Sequence, residues 1–144
     1  MDASAYLNEI VLPTIAEFEK NAWSKRRTFL ACVVTFHTLD YMPKNKGQKS
    51  LRKTFRDTSP NFAAIDRIAH AVKHVHSGSD KDRVNMPLHV SEVLVRPPAI
   101  AGRMMAGRSR CGVPRGAVLM AGVDVLQAVQ ECVVFLRAEI ELYK

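Results

Sequence analysis

Apolar residues recur at helical spacing along most of this chain, and the period changes once, near residue 88. Residues 4–23 place Tyr6, Leu7, Ile10, Val11, Ile15 and Phe18 on one stripe, which predicts an amphipathic helix. Pro13 falls inside that stripe and should kink or split it. A second helix is expected over 24–41, with Ser24 as its N-cap and Pro43 as its stop. Its run 29–36 is apolar nearly all round, the pattern of a central, buried helix. A Lys-rich loop, 42–61, follows, with room for one short helix near 50–56. Ser59-Pro60 then opens a third helix, which should fade at Ser77-Gly78-Ser79-Asp80.

Beyond residue 87 the pattern shortens. Leu88-His89-Val90-Ser91-Glu92-Val93-Leu94-Val95 mixes β-branched and polar residues and reads as a strand that Pro97-Pro98 breaks. Residues 99–106 read as a second strand, and Gly107, Gly112, Pro114 and Gly116 mark turns before a third, 117–121. A last helix, 123–143, carries Val125, Leu126, Val129, Val133, Leu136 and Ile140 on one stripe, with Asp124 near its start. The expected fold is mainly α: a bundle of about four helices in a single domain, 1–144. A small β-hairpin or sheet, 87–121, is inserted before the C-terminal helix.

With 47% apolar residues the chain is too hydrophobic to be disordered, and no apolar run approaches the roughly 20 residues that span a bilayer. Asp2, Glu9, Glu17 and Glu19 give it an acidic start, unlike the basic opening of a signal peptide. Cys32, Cys111 and Cys132 are odd in number and widely spaced, which suits a reducing cytoplasm. The net charge of +7 is clustered. Lys44, Lys46, Lys49, Arg52, Lys53 and Arg56 lie within 44–56, and Arg96, Arg103, Arg108, Arg110 and Arg115 within 96–115, with no acid in either segment. Such clusters suit phosphate contact, RNA included, or simply form a solvated loop and an exposed hairpin. No phosphate-binding glycine loop, dinucleotide fingerprint or nucleophile elbow is present.

The third helix carries the candidate chemistry. At about 100° per residue, Phe62, Ile68, Ala69 and Val72 gather around Ile65, while Arg67, His70 and His74 fall opposite, with Lys73 flanking them. That face reads in three ways. It is a solvated surface; or His70 and His74, at i and i+4, begin a metal site that lacks an obvious third ligand apart from His37 or His89 folding nearby; or it performs phosphodiester chemistry. In the third reading His moves a proton and Arg holds the phosphate, with no metal or other cofactor. His37 and Asp40, on the second helix, share a face with Leu30 and Val33 and are expected to point toward the interior or a cleft and to tie that helix to Arg67, Lys73 or His74. They act there either as structural partners or as a shell that sets an imidazole tautomer.

The segment Arg67-Ile68-Ala69-His70-Ala71-Val72-Lys73-His74 resembles the R-x4-6-H signature of HEPN-type domains. These are small helical bundles, many of them metal-independent ribonucleases in toxin–antitoxin, phage-defence and RNA-processing systems. The resemblance implies a homodimer with a composite site in which Arg67 holds the phosphate and His74 is the acid or base. His37-Thr38-Leu39-Asp40 with Ile68-Ala69-His70-Ala71-Val72-Lys73-His74 also looks like a wider group of uncharacterised bacterial proteins. Two functions stay open. One is a dimeric ribonuclease whose RNA path uses the two basic segments, with an antitoxin as a possible partner. The other is a non-catalytic helical adaptor that binds a protein or nucleic acid through its basic loop and hairpin.

Overall fold

A computed structural model describes residues 1–43, 47–74, 76–77 (backbone only), 88–100, 102–109 and 114–143. The first helix, α1, runs without a break over residues 3–20. It begins as Ala3–Tyr6, widens into a π-helical turn at Leu7–Val11, and continues as Leu12–Lys20. Asp2 caps it, accepting from the Ala5 N–H at 2.8 Å. Pro13 therefore does not split the helix: the π turn immediately precedes it, and the Leu12 N–H reaches back to the Leu7 carbonyl. A widened turn accommodates a ring that would clash in a regular one.

Helix α2, Lys25–His37, continues into a 3-10 turn, Thr38–Tyr41. Ser24 caps it as expected. Its interior face is made of Thr28, Ala31, Cys32 and Thr35, while Leu30 is exposed, so the all-round burial expected of this helix is not found. Small residues on the inner face let its neighbours approach closely. The basic segment 42–61 holds the short helix expected near 50–56 as the longer α3, Gln48–Thr58, anchored by the buried Leu51 and Phe55 one turn apart.

Helix α4, Pro60–His74, starts where Ser59 Oγ accepts from the Phe62 N–H at 3.1 Å. It ends at His74, earlier than expected, and packs against α2, α3 and α5. Strand β1, His76–Ser77, follows and pairs antiparallel with β2, Leu88–His89. The expected strand 88–95 is interrupted by a 3-10 turn, Val90–Glu92, in which His89 and Glu92 form a capping box. Pairing resumes as β3, Val93–Arg96, against β4, Ala117–Met120, and β4 pairs with β5, Val123–Asp124. This three-stranded antiparallel sheet has the order β3-β4-β5.

The strand expected over 99–106 is not found among the described residues. Carbonyls of Ile100 and Met105 instead close successive turns onto residues 103–104 and 108–109, with positive φ at Gly102 and Gly107. Helix α5, Val125–Leu142, is capped by Asp124, which accepts from the Leu126 and Gln127 N–H groups. Its stripe of Val125, Leu126, Val129, Val133, Leu136 and Ile140 is buried as the spacing predicts. In the core, Phe55, Phe62 and Phe135 meet at angles, with Phe55 edge-on to both others. The molecule is mainly α, with five helices and a small sheet beside the last. Among the described residues no helix is long and apolar enough to cross a membrane.

Candidate active site between two histidines

The organising residue on α4 is Asp66, which the sequence reading passed over. Its side chain is 1% exposed. A carboxylate so buried requires partners, because desolvation without them costs several kcal/mol. Arg52 on α3 supplies a two-pronged bond, Nε donating to Oδ2 at 3.1 Å and Nη2 to Oδ1 at 2.8 Å. Arg56, one turn further, brings its Nε to 3.4 Å from Oδ2. His70, one turn along α4, places Nδ1 3.1 Å from Oδ1 and 3.0 Å from the Asp66 backbone carbonyl. The Arg52 guanidinium also lies over the Phe36 ring of α2, 5.4 Å from its centre. One buried acid thus joins α3 to α4, and a cation–π contact extends the joint to α2.

Above this joint, α2, α3 and α4 enclose a cavity of about 410 Å³. Val33, Phe36, Ala69 and Val72 give it apolar walls, and His37, His70, Arg52 and Lys73 give it polar ones. Phe36 stands between the two imidazoles, 5.5 Å from the His37 ring and 5.3 Å from the His70 ring, edge-on to both. Each imidazole is held by a carboxylate. His37 Nδ1 is 2.6 Å from Asp40 Oδ2, and Gln48 Nε2 donates to the other Asp40 oxygen at 3.3 Å.

The two rings differ in environment. Burial, and then the Arg52 charge, push the His70 imidazole below its ordinary value of 6.5, outweighing the pull of Asp66 in the other direction. His70 is therefore neutral near pH 7. Two oxygens at 3.0 and 3.1 Å outcompete the Arg52 Nη2 donor at 3.4 Å for Nδ1, so that nitrogen carries the hydrogen. Nε2 is left with its lone pair, the tautomer of a proton acceptor. His37 is more open, with a side chain 43% exposed.

The structure redistributes the residues singled out in the sequence. His37, His70 and Lys73 share the cavity. His37 turns into the cavity beside Val33, while the bonds of His37 and Asp40 run to each other and to Gln48 of α3 rather than to Arg67, Lys73 or His74. The 3-10 turn at 38–41 causes this, because it swings Asp40 back onto His37. Arg67 is half-buried and His74 exposed on α4, and neither lines the cavity, although the His74 ring is 6.1 Å from that of His70.

Arg52 and Arg56 turn inward to Asp66 instead of lying in an open basic loop, while Lys49, Lys53, Arg103 and Arg108 are exposed. Lys44, Lys46 and Arg110 lie outside the described residues. Among the described residues no three His, Cys, Asp or Glu side chains are grouped to hold a metal ion. A sequence signal for Asp66 did exist: it is the only acid between Asp57 and Asp80, and it stands four residues before His70. No protein-family model, curated protein or solved structure matches this chain. Its assignment rests on the chemistry of this cavity.

Proposed function

We propose that the protein is a metal-independent ribonuclease whose acid–base pair is His70 and His37. The observation that supports this most is a single cavity walled by two imidazoles, each with Nδ1 held by a carboxylate, together with Arg52 and Lys73. His70 Nε2 takes the proton from a ribose 2′-hydroxyl as that oxygen attacks phosphorus. The P–O5′ bond breaks, and His37 Nε2 returns a proton to the leaving 5′-oxygen. The products are a 2′,3′-cyclic phosphate and a 5′-hydroxyl. Lys73, with the Arg52 Nη1 that its bonds to Asp66 leave over, offsets the charge that builds on the phosphoryl oxygens. Phe36 and Val33 offer a surface on which a base can pack.

The HEPN resemblance points to the same reaction but gives the catalytic roles to Arg67 and His74. Single variants separate the two assignments. Purified protein is incubated with a mixed RNA pool in EDTA, and cyclic-phosphate ends are counted. We expect His70→Ala and His37→Ala each to lower cleavage by about a hundredfold or more, and His74→Ala to leave it within a few-fold. Loss confined to Arg67→Ala and His74→Ala would move the chemistry to the outer face of α4. No cleavage by folded wild-type protein would overturn the enzyme and leave a binding role.

A further inference from the structure

A second groove, of about 650 Å³, follows β3. It is lined by Val93, Leu94, Val95 and Arg96, with Lys25 from the start of α2 and Gly107 and Arg108 from the turn segment. Successive residues of a strand point to opposite faces, so a pocket on one face of the sheet would touch alternate residues only. Four consecutive ones line this groove, which places it along the edge of the strand. β3 is the outer strand of its sheet, paired with β4 on one side and with no strand on the other among the described residues. Among the described residues no further backbone hydrogen bond reaches β3 from that side, which leaves the edge N–H and C=O groups toward the groove, and Leu94 stands 51% exposed beside them.

The charges of the groove are all of one sign. Lys25, Arg96 and Arg108 line it without an acid, and none of the three has an ion-pair partner among the described residues. Glu92, the nearest acid before β3, is committed to the His89 N–H.

We infer that this edge is a docking site for an extended acidic peptide segment of a partner protein, which adds a strand to β3. Backbone hydrogen bonds along the edge supply register, Leu94 supplies an apolar contact, and alternate Asp or Glu side chains of the incoming strand meet Lys25, Arg96 and Arg108. A second copy of this chain is a poor occupant, because it would set its own Lys25, Arg96 and Arg108, again without an acid, against those of the first. RNA would use the three cations but not the strand's donors and acceptors or Leu94.

The test uses the whole protein and four labelled probes read by fluorescence anisotropy. They are a short peptide of alternating Val and Glu, the same peptide N-methylated at alternate amides, a Val-Lys counterpart, and a single-stranded oligonucleotide of equal charge. We expect the Val-Glu peptide to bind, and N-methylation to weaken it about tenfold or more. The same loss is expected from Lys25→Glu, which lies outside the sheet and leaves its folding untouched, and from Arg108→Glu. Amide exchange along β3 should slow in the complex. Failure of the Val-Glu peptide to bind, equal binding of its N-methylated form, or tighter binding of the oligonucleotide would each overturn the proposal.

Discussion

Asp66 shows what one residue contributes here. It satisfies Arg52 and His70 by hydrogen bonds, faces Arg56 as an ion pair, and is buried while its cationic partners stay about one-third exposed. Asp66→Asn keeps the shape but leaves two guanidiniums without a counter-charge, and we expect a loss of about 2–4 kcal/mol in chemical denaturation. Arg52→Gln should cost less, because Arg56 still faces the carboxylate. His70 gives a prediction in pH. The folded state favours its neutral ring, so the unfolded chain binds the proton more readily. The stabilisation is complete above about pH 6.5 and is lost as pH falls through the lowered folded-state value. Denaturation midpoints of wild type should therefore drop as pH falls below about 6.5, and His70→Gln should flatten part of that drop. The polar face of α4 was legible as a periodicity: Arg67, His70 and His74 do share a side of the helix. Its centre was not, because the partners of Asp66 lie on another helix, and no spacing within one segment reveals a bond across fourteen residues of sequence.

Among elements, those with long apolar stripes were legible in full, while the short ones were legible in place more than in extent. α5 keeps the stripe read from its sequence, and the Asp124 expected near its start proves to be its cap; Asp124→Ala should cost about 1 kcal/mol by removing the acceptor for two N–H groups. α3 was legible as the short helix expected near 50–56, but not its full length of Gln48–Thr58, because its stripe reduces to Leu51 and Phe55 amid Lys and Arg until α4 supplies something to pack against. In the sheet, 99–106 has β-compatible residues, yet two glycines at positive φ and the preceding Pro97-Pro98 turn the chain instead. Gly116 is the glycine the sheet cannot replace. Its φ is +70°, and an added Cβ would stand 2.7 Å from the Arg96 carbonyl and 2.9 Å from the Pro98 nitrogen. Both contacts are backbone of the neighbouring chain segment and cannot swing away. Gly116→Ala is expected to lose about 2 kcal/mol or more, read as a lower thermal midpoint, whereas Gly122→Ala, at similar φ with open space around it, should lose less.

At the scale of the whole molecule, the net charge of +7 is not one basic surface. The sequence groups Lys49, Arg52, Lys53 and Arg56 in a single cluster, but the α3 helix divides them by face. Arg52 and Arg56 turn toward Asp66 and hold the fold together, while Lys49 and Lys53 face solvent. The helical period imposes that division: residues four apart share a side, and 52 with 56 takes the side that meets α4. If the protein is the ribonuclease proposed above, contact with an RNA chain along this face falls to the lysines. Removing two phosphate contacts from a single strand lowers the slope of log affinity against log salt by about 1.4. The double variant Lys49→Gln, Lys53→Gln should show that reduced slope in titrations at several salt concentrations, with an unchanged denaturation midpoint. Arg52→Gln should behave in the opposite way, lowering the midpoint while leaving most of the slope intact. A protein in which all four cations contributed equally to the slope, and none to stability, would have Asp66 unpaired in solution, and the joint between α3 and α4 would not exist.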